Sequence, residues 1–295
     1  MPELPEVETE RGRLAGRLEG RRIAAARIDD SRLTRPDDPA WVAAALSGEQ
    51  VETVERRGKY LVVRLRSGQV LLVHLRMTGS FRYEPASHER ALLELEDGTR
   101  IAYRDLRRFG TWLLLEADEA ERHLAVRLGP EPLGPRFTAS FLAGRLAGRR
   151  APVKAAILDQ RTVAGLGNIY ADEALWHARI HPLRPAGELS ADEVAALRRG
   201  VRAALRRGIL RQGADLGDGT YAGGRMQHEF RVYGRTGEPC DRCGTPIEKT
   251  RAGGRGTCFC PGCQGRAQGS GGRARTPEAW KRRHRRTAPS GTIKK

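Results

Sequence analysis

Between Glu6 and Leu18, apolar Val7, Leu14 and Leu18 recur at helical spacing among charged residues, which predicts an amphipathic helix ending near Gly20. The pattern then changes to short runs rich in β-branched and aromatic residues: Arg21–Asp29, Val51–Arg57, Lys59–Leu65, Val70–Leu75, Leu92–Leu95, Ile101–Tyr103 and Trp112–Leu115. Ser-Gly and Asp-Gly pairs separate several of them, as turns between strands would. This spacing predicts a β-sandwich or barrel to about residue 130, with a helix at Trp41–Leu46 inserted between strands. The prolines of Gly129–Pro135 oppose regular structure and read as a linker. Beyond it the period is helical again, over Thr138–Ala147, Val153–Asp159, Ile169–Ala178 and Ser190–Gln212. The last opens with a capping box, Ser190 and Glu193. Its apolar face is Val194, Leu197, Val201, Leu205 and Ile209, while Arg198, Arg199, Arg202, Arg206 and Arg207 are expected to be solvated or to face phosphate.

Charge adds a partner to this outline. The formal net charge is +17 over 295 residues, and +9 of it falls in residues 266–295. The body stays basic without that tail, so a polyanion such as nucleic acid is the expected partner. No positive segment followed by an apolar run opens the sequence, and no stretch approaches the ~18 apolar residues of a membrane span. A cytosolic, reducing environment is expected, where cysteines read as metal ligands before disulfides.

All five cysteines lie between Cys240 and Cys263. Cys240-x2-Cys243 and Cys260-x2-Cys263, sixteen residues apart, have the spacing of two knuckles of a four-thiolate site, which favours one structural zinc ion with no open coordination position. Cys258 is out of register and reads as a strand residue or, less simply, a ligand swap. Arg251–Thr257, with Arg255, forms a basic hairpin tip between the knuckles. Gly165-Leu-Gly-Asn168-Ile-Tyr170 is either a helix corner capped by Asn168 or a phosphate cradle at a helix N-terminus. His74–Gly79 and Asp105–Gly110 are turns in which Met77 and Phe109 read either as ordinary core residues or as wedges that enter a base stack. Lys59 is a surface lysine or a phosphate contact.

The opening octet, Met1-Pro-Glu-Leu-Pro-Glu-Val-Glu8, also admits two readings. One is an acidic helix start. In the other, removal of Met1 leaves Pro2 as a secondary amine with a near-neutral pKa, able to attack an aldehyde or a sugar C1′ and form an iminium ion, with Glu3 and Glu6 as acid, base or electrostatic partners.

These motifs, in this order, resemble the formamidopyrimidine-DNA glycosylase family, which is grouped with endonuclease VIII. The resemblance rests on the octet, Lys59-Tyr-Leu61, His74–Gly79, Arg107-Arg-Phe-Gly110, Leu128–Leu133, Gly165–Ala171, Val232–Arg235 and the cysteine segment. Leu4, where endonuclease VIII proteins usually carry glycine, favours the formamidopyrimidine branch.

The resemblance implies a multidomain α+β chain. An N-terminal helix and catalytic β-sandwich would span 1–130, a helix-two-turns-helix DNA-binding domain 131–225 and a zinc ribbon 226–265; residues 266–295 lie outside the resemblance, and their Gly/Arg/Lys composition, with too little apolar content to fold alone, reads as a disordered basic tail. The resemblance also implies a bacterial, nucleoid-associated, cytoplasmic monomer that binds double-stranded DNA containing damaged bases or abasic sites. Pro2 would be the nucleophile, Glu3 the acid in sugar-ring opening, Glu6 a support, and Lys59 a DNA contact near the lesion. Met77, Arg107 and Phe109 would fill the void of the everted base, with Arg107 facing the orphaned partner. His74, Asn168 and Arg255 would hold phosphates. The implied activity is excision of 8-oxoguanine and formamidopyrimidines followed by β,δ-elimination; the rival from the binding class is a catalytically silent binder of damaged or abasic DNA. Leu106 stands where the family often has Pro, Cys258 where His or an aromatic is common, and the loop Asp215–Gly224 is shorter and richer in glycine than expected. The tail is either a DNA-affinity arm or a solvated extension.

Overall fold

A computed structural model describes residues 2–215 and 223–265. The basic tail and most of the glycine-rich loop lie outside the described residues. The first helix, α1 (Leu4–Leu18), starts with Pro5 in its first turn, where a missing N–H costs nothing. Eight antiparallel strands follow: β1 (Ile23–Ile28), β2 (Val51–Arg57), β3 (Tyr60–Leu65), β4 (Gln69–His74), β5 (Gly79–Arg82), β6 (Glu89–Leu95), β7 (Arg100–Asp105) and β8 (Thr111–Glu116). They form two four-stranded sheets, ordered β1-β6-β7-β5 and β2-β3-β4-β8. A short helix, α2 (Pro39–Leu46), connects β1 to β2 and is capped by the Asp38 carboxylate.

Leu61, Val63, Leu71 and Val73 of one sheet meet Phe81, Leu93, Ile101 and Tyr103 of the other in the sandwich core. The outer face of β3 and β4 is covered as well: Val62, Val70 and Leu72 pack on Ala120 and Leu124 of α3 (Ala117–Ala125). Burial on both faces explains why these strands read as unbroken apolar runs rather than alternating ones.

Two elements were not expected from the pattern. Strand β5 is four residues long and begins with Gly-Ser, and α3 follows β8 with no intervening turn residue and offers only Ala120 and Leu124 to the core.

The second lobe contains α4 (Ala139–Leu146), α5 (Val153–Leu158), α6 (Asn168–Ala178) and α7 (Ala191–Leu210) around a separate core. The Ser190–Glu193 capping box is present at α7. Helix α1 belongs to both lobes, since Leu4 enters the helical core while Val7, Leu14 and Leu18 enter the sandwich core.

The linker is anchored rather than free. Glu131 accepts the Gly58 N–H at 2.6 Å and both guanidinium arms of Arg56, at 3.1 and 2.9 Å. From the other side Arg202 donates to the carbonyls of Pro132, Leu133 and Gly134, and Arg198 to that of Phe137. These two arginines of α7 therefore neither stand free in solvent nor wait for phosphate: they satisfy a proline-rich segment that lacks its own ladder. Strands β9 (Glu248–Ala252) and β10 (Arg255–Phe259) form the predicted hairpin. Among the described residues, no helix is long and apolar enough to cross a membrane.

Candidate nucleic-acid interface and active site

A cavity of about 540 Å³ opens where the sandwich, α6 and the β9–β10 hairpin meet. Glu3, Lys59, His74, Met77, Asn168 and Arg255 line it, together with Tyr60, Arg76, Arg127, Gln160 and Tyr233. Six of the residues singled out from the sequence are thus brought together from five separate segments. Four cations against one carboxylate give the lining the sign that attracts a phosphodiester.

Glu3 is 2% exposed and lies against the first turn of α6, accepting the Ile169 N–H at 2.9 Å and the Tyr170 N–H at 3.4 Å. Gly167 makes the approach possible, since a Cβ there would overlap the carboxylate. Gly167, not Asn168, occupies the cap position of α6. The helix terminus favours the ionised carboxylate. Burial wins over it and over Lys59, so the Glu3 carboxyl is pushed above its ordinary value. Glu6 is set deeper, outside the cavity lining: one oxygen accepts the Glu3 N–H at 2.8 Å, and the other the Tyr170 hydroxyl and the Ala214 N–H, both at 2.8 Å. Pro2, immediately before this pair, is buried.

Lys59 sits at the tip of the two-residue turn between β2 and β3, behind Gly58, whose positive φ of 59° suits glycine at the first turn position. Only 6% exposed, its ammonium is drawn below its usual value by burial, against Glu3 and Glu6, which hold it up. His74 ends β4. Its Nδ1 accepts the Arg76 N–H at 3.0 Å, and burial, then Arg76 and Lys59, lower its pKa to about 3. The imidazole is therefore neutral with its proton on Nε2, ready to donate one hydrogen bond.

Asn168 Nδ2 donates to the Gly256 carbonyl at 3.1 Å, next to Arg255 at the start of β10. The same carbonyl receives the Lys154 ammonium at 2.9 Å, and Lys154 also meets Thr257 Oγ1 at 2.9 Å and the Asp172 carboxylate at 2.7 Å. Asp172 accepts the Cys258 N–H at 2.9 Å, while Glu173 accepts the N–H groups of Arg231, Val232 and Tyr233 at 2.9–3.0 Å. Helix α6 thus holds both the ribbon and the segment before it through two buried carboxylates that the sequence reading did not single out. A helix buried on every side has no polar face from which to read them, because their partners lie 58–86 residues downstream.

Met77 is half-buried at the cavity edge; Phe109 is 50% exposed and stacks under the Arg107 guanidinium at 4.9 Å. Neither is a core residue. Arg107 and Phe109 lie outside the cavity lining.

Cys240, Cys243, Cys260 and Cys263 place their Sγ atoms within 4.8 Å of one another. The Cys240–Cys263 and Cys243–Cys260 separations are 3.8 and 3.5 Å, close to the ~3.8 Å edge of a tetrahedral zinc–thiolate site with ~2.3 Å bonds. The donors fit one structural zinc. Trp176 of α6 donates its indole N–H to Cys240 Sγ at 3.4 Å. Cys258 stays outside the cluster as a buried strand residue.

Three family descriptions match successive parts of the sequence: formamidopyrimidine-DNA glycosylase N-terminal domain over residues 1–112, formamidopyrimidine-DNA glycosylase H2TH domain over 128–218, and zinc finger found in FPG and IleRS over 237–265. The chain belongs to the formamidopyrimidine-DNA glycosylase family. A formamidopyrimidine-DNA glycosylase of Roseiflexus sp. (strain RS-1) is 46% identical over 275 residues, covering 90% of this chain and 100% of the relative. The family likeness extends to solved structures. The MutM (Fpg) protein of Thermus thermophilus superposes with a TM-score of 0.82 at 42% identity, covering 90% of this chain and 99% of its own. The Lactococcus lactis Fpg in complex with abasic-site DNA superposes with a TM-score of 0.83 at 35% identity, covering 90% and 100%. A second structure of the Lactococcus lactis Fpg is a complex with Fapy-dG DNA, with the same score, identity and coverage.

Proposed function

We propose that this family member is a bifunctional DNA glycosylase and abasic-site lyase that removes oxidised purines, 8-oxoguanine and formamidopyrimidines, from duplex DNA. The observation that carries the reading is the Glu3 carboxyl: buried, displaced toward its protonated form, and set in a cation-rimmed cavity directly after Pro2. A buried carboxyl whose proton affinity is raised above the ordinary carboxylate value suits a general acid.

In the proposed reaction Pro2, freed of Met1, attacks C1′ with its nitrogen lone pair. Glu3 protonates the ring oxygen as the C1′–O4′ bond opens, and the base leaves with the electrons of its glycosidic bond and gains a proton. The resulting iminium acidifies C2′. Loss of that proton expels the 3′ phosphate, and a second elimination expels the 5′ phosphate. Glu6 fixes Glu3, and Lys59 contacts the DNA beside the lesion. His74 donates from Nε2 to a phosphate, while Asn168 and Arg255 grip the backbone from α6 and β10. Met77, Arg107 and Phe109 fill the gap left by the everted base, which lowers the cost of unstacking it.

The likeness to a protein solved with abasic and Fapy-dG DNA supports the substrate class. We assign residues 1–130 to the catalytic lobe, 131–225 to the helix-two-turns-helix lobe and 226–265 to the ribbon, acting as a monomer on bacterial nucleoid DNA, with the basic tail as an added affinity arm. Incubation with a duplex carrying 8-oxoguanine opposite cytosine tests this reading. The expected products are ends bearing 3′ and 5′ phosphates; binding without base release or scission sinks it.

A further inference from the structure

Two turns carry the wedge residues assigned above, and one buried side-chain pair joins them. Thr78 follows Met77, and Asp105 ends β7 just before the turn that holds Arg107 and Phe109. They are 4% and 1% exposed. The Thr78 hydroxyl donates to Asp105 Oδ1 and accepts the Arg107 backbone N–H at 2.9 Å. Asp105 Oδ2 accepts the N–H of Gly110, the residue after Phe109, at 2.7 Å. Every wedge side chain is therefore within one residue of a group bound to this pair.

The packing under the turns reinforces the connection. The Tyr103 hydroxyl fills the space that a Cβ on either Gly79 or Gly110 would need, so both turns close onto one buried ring. Arg108, between Arg107 and Phe109, has a positive φ of 58° and forms two hydrogen bonds to Asp30, at 2.6 and 2.8 Å. The turn is thus held on both flanks, while the side chains of Arg107 and Phe109 stay exposed.

We propose that Thr78 and Asp105 are positioning residues that make Met77, Arg107 and Phe109 a single preorganised wedge, and that the Thr78 bond to the Arg107 backbone sets discrimination of the base opposite the lesion. This rests on the wedge reading given above. A side chain that must replace base stacking loses effectiveness if it has first to be ordered, so rigidity here acts on eversion. It does not act on the iminium chemistry at an abasic site, where there is no base to evict.

The test compares wild type, Thr78→Val, which keeps shape and loses the hydroxyl, and Thr78→Ser, which keeps the hydroxyl. Single-turnover rates are measured on duplexes with 8-oxoguanine opposite cytosine or adenine and on a preformed abasic site. Eversion is read separately from 2-aminopurine fluorescence beside the lesion. Thr78→Val is expected to slow eversion and excision by about tenfold or more and to bring the cytosine/adenine ratio toward one, with abasic cleavage within about twofold of wild type. Thr78→Ser is expected to restore all three. Unchanged eversion and base preference in Thr78→Val overturns the proposal. So does an equal fall in excision and abasic cleavage, or loss of folding by circular dichroism, which would make the pair part of the sandwich's stability instead. If wild type everts the base without excising it, the enzymatic reading fails while the fluorescence comparison still decides this one.

Discussion

The Glu3 carboxylate accepts the Ile169 backbone N–H at 2.9 Å, joining the residue before α1 to the first turn of a helix 166 residues later. Only a residue without a side chain at Gly167 leaves room for that contact. The carboxylate proposed above as the acid is thereby held by the first turn of α6, in the helical lobe.

Gly167→Ala is expected to cost about 1–3 kcal/mol, the usual range for overpacking, because backbone or carboxylate must move. Base excision should fall further than that loss alone implies, since Glu3 is displaced from its partners. Thermal melting together with single-turnover excision checks this. Full activity with normal stability would mean that the Glu3–α6 contact does not matter.

His74 predicts an acid limb of stability. Its folded pKa of about 3 lies below the ordinary 6.5, because burial excludes the imidazolium and Arg76 and Lys59 repel it. The unfolded chain binds the proton more readily, so the contribution is complete above about pH 6.5 and is lost as pH falls through the window down to 3. By pH 5 the loss is expected to reach roughly 2 kcal/mol. His74→Gln should flatten that limb in urea titrations between pH 7 and 4.5, and an unchanged slope contradicts the assignment.

The buried Lys154–Asp172 pair should behave as a latch between α6 and the ribbon. Lys154→Met leaves Asp172 buried without its counter-ion and is expected to cost about 3–5 kcal/mol, or to release β10. Adding Asp172→Asn removes the stranded charge while keeping an acceptor for the Cys258 N–H, and should recover most of the loss. Melting temperatures and hydrogen exchange of residues 255–259 give the comparison; a double variant no better than the single one contradicts the latch.

Much of this was legible from spacing. Ligand geometry is local, so two Cys-x2-Cys knuckles suffice to call a zinc site, and seven of the eight sandwich strands stand out as β-branched runs between turn pairs. Whether Met77 and Phe109 are core residues was not legible, because an apolar side chain at a turn tip reads the same either way; the structure leaves Phe109 50% exposed and Met77 half-buried, and their role as wedges is the proposal made above. Arg198 and Arg202 misled for a related reason. Their partners are carbonyls of a proline-rich segment, which leave no mark in a charge pattern. Asp172 and Glu173 were invisible because they answer backbone groups in the ribbon and the segment leading to it.

Zinc removal should be felt in α6 through the indole N–H that Trp176 gives Cys240. Chelation, or Cys260→Ser, is expected to change Trp176 emission and to weaken lesion-DNA affinity by tenfold or more, about 1.4 kcal/mol. Trp176→Phe identifies the emitting residue. Unaltered affinity in the zinc-free protein would make the ribbon peripheral to binding.

Borohydride trapping on an 8-oxoguanine duplex tests the central claim most directly. Reduction of the iminium should leave a covalent protein–DNA adduct in wild type, map it to Pro2, and leave little or none in Pro2→Gly. No adduct in wild type, or an undiminished adduct in Pro2→Gly, would contradict the account.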